Sequence, residues 1–365
     1  MFSHLIGNDQ IKEYLQRMVK KQAVSNSLLF SGPEGIGKSL YAQAFAKLLI
    51  CQEDPHGSHA HKIDSGNHPD IYHYRPEGKI GMHSIEAMRR FSEEVYMAPY
   101  EAKWKVFIIH DAHRMLTYSA NALLKTFEEP ASFSVIILLS HSPEHLLPTV
   151  LSRCRAVHFH AVSTSTIADH LIRKQGIDKD TAFKYAGLAH GSIGRALELV
   201  RKGEDGIREQ LLDFLAQQRA TSYGALTSFV KGITAQVDQA KKNSEEGVRD
   251  HLAAGMGDDL TAAQKQAMEK EVDGVICMRQ QMEAQYLLDI ILTWYRDLHL
   301  LYNHGDRSLM IHQDYRDQME RILLQGEPMP LERVQRAVAD ARLSLARSTG
   351  FALCLENLFL KLNLL

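Results

Sequence analysis

The chain has 365 residues, with 42 Lys and Arg against 44 Asp and Glu, so its formal net charge is −2. This length corresponds to two or three domains, and a hydrophobic share of 45% is typical of a soluble globular protein. Near-neutral charge argues against a free-standing nucleic-acid binder, which normally carries a strongly basic face, although it leaves room for a local basic patch.

The cysteines and the apolar runs predict the compartment. Four cysteines lie far apart and form no CxxC pair, which favours a reducing compartment over a disulfide framework: Cys51, Cys154, Cys277 and Cys354. The N-terminus, MFSHLIGNDQIK, lacks the basic and apolar regions of a secretory signal. The longest apolar run, Val135 to Leu139, is far shorter than the roughly 20 residues that span a bilayer. We therefore expect a cytoplasmic protein without a membrane partner.

Short apolar runs alternate with helical patterns over the first 160 residues, which is typical of an α/β domain with a parallel sheet. The predicted strands are Leu28–Phe30, Ile71–Tyr74, Val106–Ile109, Val135–Leu139 and Val157–Phe159. The predicted helices between them are Ser39–Leu49, Met82–Glu94 and Ser119–Glu129. Pro130 ends the last of these helices, because the residue before a proline disfavours helical angles.

Only helical patterns follow residue 162. A first helix is capped by Ser163 or Ser165 and ended by Gly176, and two more are predicted at Asp180–Ala189 and Ser192–Arg201. The predicted domains are an α/β domain over residues 1–162, a three-helix lid over 163–204 and an all-α C-terminal domain over 205–365.

The strongest motif is a phosphate loop. Its eight residues fit GxxxxGK[ST] between a predicted strand and a predicted helix: Gly32, Pro33, Glu34, Gly35, Ile36, Gly37, Lys38 and Ser39. Glycines let successive backbone N–H groups point at phosphate oxygens, and the helix N-terminus adds partial positive charge. Lys38 can reach the β- and γ-phosphates, and the Ser39 hydroxyl can ligate Mg²⁺. The predicted ligand is ATP or ADP with Mg²⁺; the alternative is a relic loop that no longer binds nucleotide.

Hydrolysis also needs a second strand that ends in adjacent acids, one for Mg²⁺ and one to orient the attacking water. Here the strand Val106–Ile109 is followed by His110 and Asp111. Imidazole is a poor ligand for Mg²⁺, and Asp111 is shorter than the glutamate that usually orients the water. We expect weak or absent ATPase activity, with Asp111 as the candidate catalytic acid.

Four motifs in this order resemble those of bacterial clamp-loader subunits of the AAA+ class. They are GPEGIGKS, VFIIHDAHRM, NALLKTFEEP and LLSHSPEHLLPTVLSRC, and the opening IGNDQIKEYL is similar to that family as well. The resemblance covers residues 1–200, whereas the rest of the chain matches only in being helical. It implies an α/β AAA+ P-loop domain with a parallel sheet, a three-helix lid and a helical collar domain.

Two departures favour the delta-prime type of subunit over the gamma/tau type, which is the ATPase motor of that family. The motor type keeps an Asp-Glu pair where this chain has His110 and Asp111. It also carries an arginine in the motif GSxRxAL of the third lid helix, where this chain has Gly194, with Arg195 one residue on. A shift of one residue turns a helical side chain by about 100°, away from the nucleotide. A gamma/tau-like motor remains the alternative.

The resemblance implies that Arg153, within the intact motif Ser152-Arg153-Cys154, is an arginine finger for the ATP site of a neighbouring subunit. Such an arginine stabilises charge on the transferred phosphoryl group. The alternative is a surface arginine in an ordinary ion pair. The predicted function is a stator that joins gamma/tau and delta subunits to load the sliding clamp onto primer–template DNA; an AAA+ scaffold outside replication is a third possibility.

Five of the 19 histidines lie between Cys51 and Tyr74: His56, His59, His61, His68 and His73. Relatives carry a four-cysteine zinc module here, so the resemblance implies a candidate zinc site at Cys51, His56, His59 and His61. Zinc accepts mixed cysteine and histidine ligands, but Lys62 stands in place of the last cysteine and repels a cation. We favour a decayed zinc loop with solvated histidines.

Overall fold

The computed structural model describes residues 2, 4–54, 57–78, 80–202, 206–254, 262–347 and 349–365. The chain separates into two compact units, one of Met1–Glu77 with Gly81–Arg201 and one of Gly78–Ile80 with Lys202–Leu365. The first unit holds the sheet together with the helices that follow it. The boundaries proposed for a separate lid, at residues 163 and 204, stay a prediction.

A parallel sheet of five strands forms the centre of the first unit, in the order β2-β3-β4-β1-β5. The strands are β1 (Ser27–Ser31), β2 (Ile71–Tyr74), β3 (Lys105–Ile109), β4 (Ser134–Ser140) and β5 (Arg155–His158). All neighbouring strands in it pair in parallel, which confirms the predicted α/β fold.

The helices of the first unit lie at the predicted positions in outline, with three more that were not predicted, namely the first, third and seventh in chain order. They are α1 (Asp9–Lys20), α2 (Lys38–Ile50), α3 (Ser58–Asp64), α4 (Ile85–Glu94), α5 (Thr117–Ala122), α6 (Leu124–Glu128), α7 (Pro148–Leu151), α8 (Thr164–His170), α9 (Lys179–Leu188) and α10 (Ile193–Lys202). The predicted single helix Ser119–Glu129 is wrong in one respect. Leu123, with φ −91° and ψ −3°, interrupts it and divides α5 from α6.

Capping residues start three of these helices where the sequence contains a suitable side chain. The Ser84 hydroxyl accepts the Ala87 amide at α4, and Ser163 is the predicted candidate that caps α8. Asp178 caps α9, which therefore begins at Lys179. Each cap satisfies an amide that the first turn of a helix leaves without an intrahelical partner.

The three central strands, β1, β3 and β4, are covered on both faces by apolar cores. In β4, Val135, Ile137 and Leu139 belong to the core that includes α1 and α2, whereas Ile136 and Leu138 belong to the core that includes α4. A sheet buried on both faces has continuous apolar strands, because neither face is exposed to water. This burial explains why short apolar runs were sufficient to locate the strands.

The described part of the second unit is helical. Its helices are α11 (Gly206–Ala216), α12 (Tyr223–Ala254), α13 (Ala262–Tyr302), α14 (Arg316–Leu323), α15 (Leu331–Ala346) and α16 (Phe351–Lys361). Phe214, Trp294 and Phe359 lie in its core. Beside this core the Arg208 guanidinium donates to Asp314 at 2.8 and 2.9 Å. No helix among the residues described in either unit has the length and apolar character needed to cross a bilayer.

Phe91 provides a test of the core between α4 and the sheet. Its ring is fully buried and lies 5.4 Å from that of Tyr74 and 5.5 Å from that of Phe107, measured between centroids. We expect Phe91→Ala to lower the free energy of unfolding by about 3–5 kcal/mol in equilibrium urea titrations of the full chain. The matched control is Phe183→Ala on α9, where the ring is 41% exposed and the cost should be roughly 1 kcal/mol or less. Equal losses of unfolding free energy in the two variants would contradict this account of the core.

Candidate nucleotide site

Three loops that carry polar residues meet at the carboxyl edge of the sheet. β4 pairs in parallel with both β1 and β3, so the ends of the three strands lie side by side. The phosphate loop follows β1, His110 and Asp111 follow β3, and His141 follows β4. In open parallel sheets ligands bind outside this edge of the strands. The fold therefore brings the predicted phosphate loop and the predicted acidic position into one region.

The phosphate loop leads from β1 into the N-terminus of α2. Gly32, Gly35 and Gly37 have φ values of 141°, 70° and 92°, which side chains with a Cβ rarely adopt. Gly37 is the N-cap of α2, and no hydrogen bond within the described chain engages the amides of residues 37–39. Amides in this position point outward from a helix N-terminus and suit a phosphate group.

Lys38 is folded back onto its own loop. Its ammonium donates to the carbonyl oxygens of Gly32 at 2.7 Å and of Pro33 at 2.6 Å. Burial lowers the pKa of Lys38 to about 8, and the charges of Glu34 and Asp111 oppose this change. The lysine is charged at neutral pH and loses that charge in mildly alkaline solution.

The loop is in contact with α10 of the same unit. The Gly194 amide donates to the Gly35 carbonyl oxygen at 3.0 Å. A Cβ atom on Gly194 would lie 3.3 Å from that oxygen, and one on Gly35 would lie 2.0 Å from Ser192 Oγ. A Cβ atom at position 194 therefore requires the loop and the helix to shift apart by a few tenths of an ångström. Arg195, the next residue, pairs with Glu198 of its own helix at 3.2 Å.

His110 is half-buried at the end of β3, where a magnesium-binding acid was expected. Its Nε2 lies 3.1 Å from Nδ1 of His73 on β2, and its carbonyl oxygen accepts from His83 Nε2 at 2.7 Å. Burial lowers the pKa of His110 to about 3 and that of His73 to about 4, so both rings are neutral at neutral pH. A neutral imidazole pair supplies no oxygen ligand, and this position does not fit Mg²⁺.

Asp111 lies beside two histidines that sequence analysis did not single out. Its Oδ1 is 3.7 Å from His141 Nδ1, and the rings of His113 and His141 are 4.2 Å apart between centroids. Burial alone would raise the pKa of Asp111, but the hydrogen bond from His141 and the charges of the neighbouring histidines hold it below its usual range. The sequence feature that could have pointed to His141 is its position directly after an apolar strand. The carboxyl ends of parallel strands meet at one edge of the sheet, so residues at that position lie close together.

Arg153 lies at the surface just after α7. Its Nε donates to Glu128 Oε2 at 2.9 Å and its Nη1 to the Thr149 carbonyl oxygen at 3.0 Å, with 30% of the side chain exposed. Cys154 packs against the core that includes α4, and burial raises the pKa of its thiol to about 12. The arginine is thus accessible, whereas the cysteine is a packing residue.

The candidate zinc ligands do not converge within the part of the chain that the structure describes. His56 lies outside the described residues. His59 lies in α3, but Cys51 and His61 are not in the group of donor atoms that surrounds it. The proposed four-residue set is therefore not assembled from the three members that can be placed.

His59 instead pairs with His68, with 2.9 Å between Nδ1 and Nε2. Glu101 is close to both histidines, but the Lys62 ammonium donates to its two carboxylate oxygens at 2.8 and 2.6 Å. The Nδ1 of His68 accepts the Asp70 amide at 3.1 Å. The Glu101 carboxylate is therefore already paired with Lys62. We call His59, His68 and Glu101 the α3 histidine group.

Known proteins are similar in sequence to the N-terminal part of this chain. Residues 7–163 match a family model described as DNA polymerase III, delta subunit. The chain is 32% identical over 201 residues to DNA polymerase III subunit delta' of Bacillus subtilis, covering 53% of this chain and 60% of that protein. It is 32% identical over 209 residues to subunit tau/gamma of Haemophilus influenzae, covering 54% of this chain and 30% of that protein.

The matched region is thus less than two thirds of the length of either relative. The solved structure of a DNA polymerase III gamma subunit-related protein from Thermotoga maritima is similar to this chain at 18% identity and a TM-score of 0.44. The comparison covers 96% of this chain and 99% of that one. This last likeness is too distant to support an argument. The sequence matches confirm the resemblance predicted from the motifs: the N-terminal part of this chain is similar to that of bacterial DNA polymerase III clamp-loader subunits.

The contact between the phosphate loop and α10 can be measured by amide hydrogen exchange. In Gly35→Ala the new methyl group displaces Ser192, so we expect the Gly194 amide to exchange about tenfold faster as its hydrogen bond weakens. Gly37→Ala is the matched control, because Gly37 also has a positive φ but no atom within 4 Å of its added Cβ. Equal acceleration in the two variants would attribute the effect to backbone strain and contradict the contact.

Proposed function

We propose that this chain, a relative of the bacterial DNA polymerase III clamp-loader subunits, is a delta-prime-like stator of such a complex. It assembles with gamma/tau and delta subunits, and the complex loads the sliding clamp onto primer–template DNA. Its own phosphate loop holds ATP or ADP without turning it over. Arg153 acts in trans, in the ATP site of an adjacent motor subunit.

The state of His110 is the observation that carries this proposal. The acid that would hold Mg²⁺ is replaced by a half-buried imidazole whose partner is His73, 3.1 Å away. Gly194 likewise stands where the motor type has an arginine, and its amide binds the phosphate loop itself. Both features remove groups that hydrolysis needs, while the amides at the start of α2 remain suited to phosphate.

The surroundings of Arg153 support a role in trans. Glu128 holds one edge of the guanidinium through Nε, and the Thr149 carbonyl holds Nη1. Within the described residues, Nη2 donates no hydrogen bond to protein. A planar guanidinium whose Nε and Nη1 are held by protein can still donate from Nη2 to a phosphate of a second chain.

A gamma/tau-like motor is the alternative, favoured by the 32% identity to subunit tau/gamma and by the charge of Asp111 acting on Lys38. Single-turnover hydrolysis of ATP by the isolated chain separates the two functions. The stator proposal expects no appreciable turnover. Robust hydrolysis that Asp111→Asn abolishes would establish the motor instead.

The pKa of Lys38 predicts how nucleotide binding depends on pH. A bound phosphate favours the charged lysine, whose pKa in the free protein is lowered by burial to about 8. Binding therefore takes up a proton above this pH, and the affinity for ADP should fall by up to about tenfold per pH unit between pH 8 and 10. Isothermal titration at several pH values measures this slope. Lys38→Met should bind weakly with no such slope, and an equal slope in that variant would contradict the assignment.

Arg153→Ala should leave nucleotide binding to this chain unchanged. In the complex reconstituted with motor and delta subunits, it should lower DNA-stimulated ATP turnover by at least about tenfold, because an arginine finger contributes orders of magnitude to the rate. The matched control is Arg155→Ala, two residues along, where the arginine lies over the Tyr14 ring.

A normal ATPase rate in the Arg153→Ala complex would reject the arginine finger. Clamp loading with and without the wild-type chain is the companion measurement, since a stator is needed for loading even when its own site is silent. Failure of the chain to assemble with motor and delta subunits would reject the stator altogether.

A further inference from the structure

Asp111, His113 and His141 form a group of metal-binding side chains at the carboxyl edge of the sheet. Each offers one donor atom, and the three atoms all lie within 4.8 Å of one another. The Asp111 Oδ1 to His141 Nδ1 distance is 3.7 Å. Ligands of a tetrahedral ion with bonds of about 2.0–2.1 Å are roughly 3.4 Å apart, so only a small contraction would complete the arrangement.

The donor set selects the class of ion. Mg²⁺ prefers carboxylates and water, and it binds poorly to imidazole. Two imidazoles with one carboxylate suit Zn²⁺, Co²⁺ or Ni²⁺, and three protein ligands leave one coordination position for water or another ligand. The group therefore fits a transition metal and differs from the oxygen-rich magnesium site of a hydrolytic P-loop protein.

Neighbouring groups orient the proposed ligands, and the site is open to solvent. His113 Nδ1 lies 3.3 Å from Ser140 Oγ, which in turn accepts the Ser142 amide at 3.1 Å. Such contacts to the second ring nitrogen fix the orientation of metal-binding histidines. The side chains of Asp111 and His141 are 29% and 28% exposed, so an ion can reach them from solvent.

The α3 histidine group is the competing cluster, but it is less suited to a cation. Lys62 already neutralises Glu101 at 2.6 Å and would repel an incoming ion. Nδ1 of His59 and Nε2 of His68 also share a hydrogen bond of 2.9 Å. Lys38 acts on Asp111 through its charge, but no lysine donates to Asp111 among the described hydrogen bonds. The ion-pair partner of Asp111 is one of the two proposed imidazole ligands, His141.

We propose that Asp111, His113 and His141 bind a divalent transition-metal ion of the zinc class beside the phosphate loop. The site takes the ion independently of nucleotide. Because the proposal concerns metal binding by the chain alone, it can fail or succeed whatever the outcome for the stator function.

The test is a titration of the full-length, chelator-treated chain with Co²⁺, followed by its visible d–d absorption, and then with Zn²⁺ in competition with a chromophoric chelator. We expect one equivalent of Co²⁺ per chain, in the presence of millimolar Mg²⁺, with the spectrum of a low-coordinate nitrogen and oxygen site. His141→Gln should weaken binding by at least about tenfold and change the spectrum.

The matched control is His59→Gln, the same substitution in the α3 histidine group, which should bind like the unmodified chain. Far-UV circular dichroism checks the fold, and His113→Gln gives a second comparison if His141→Gln does not fold. Absence of stoichiometric binding would overturn the proposal. So would binding that both His141→Gln and His113→Gln leave intact, or binding that His59→Gln abolishes.

Discussion

The parallel pairing of β1, β3 and β4 is the constraint on which the candidate site depends. Parallel strands run in one direction, and neighbours lie about 4.8 Å apart, so the loops that follow them emerge along one edge. The phosphate loop, Asp111 and His141 belong to segments separated by many residues, yet register places Phe30 beside Leu139 and Ile109 beside Leu138. The proximity of these groups follows from this convergence.

The same burial that holds the sheet together sets the protonation of the groups at its edge. Desolvation keeps His110 and His73 neutral, and it brings the pKa of Lys38 down to about 8. An edge that carries oxygen ligands in a hydrolytic P-loop protein is here lined with imidazoles. Phosphate binding and magnesium chemistry are therefore separable in this fold: the first depends on backbone amides and the second on the identity of two or three side chains.

Much of the fold could be predicted, because buried parallel strands are continuous apolar runs and a helix start such as Ser163 has a recognisable cap. The break at Leu123 could not, since no proline or glycine marks it. The phosphate loop was predicted residue by residue, as a motif within one turn. The partners of His110 and Asp111 were missed, because His73 lies on β2, His141 directly follows β4, and their approach depends on sheet order.

The sequence by itself determined the α/β class, the phosphate loop and the departures at His110 and Gly194, since each is a property of a short segment. Only the tertiary structure decided what those departures do. It placed the half-buried His110 beside His73, it bonded the Gly194 amide to Gly35, and it brought Asp111 together with two histidines. The physical reason is that strand order, register and desolvation determine which side chains meet and in which charge state, and none of these is a property of a local pattern.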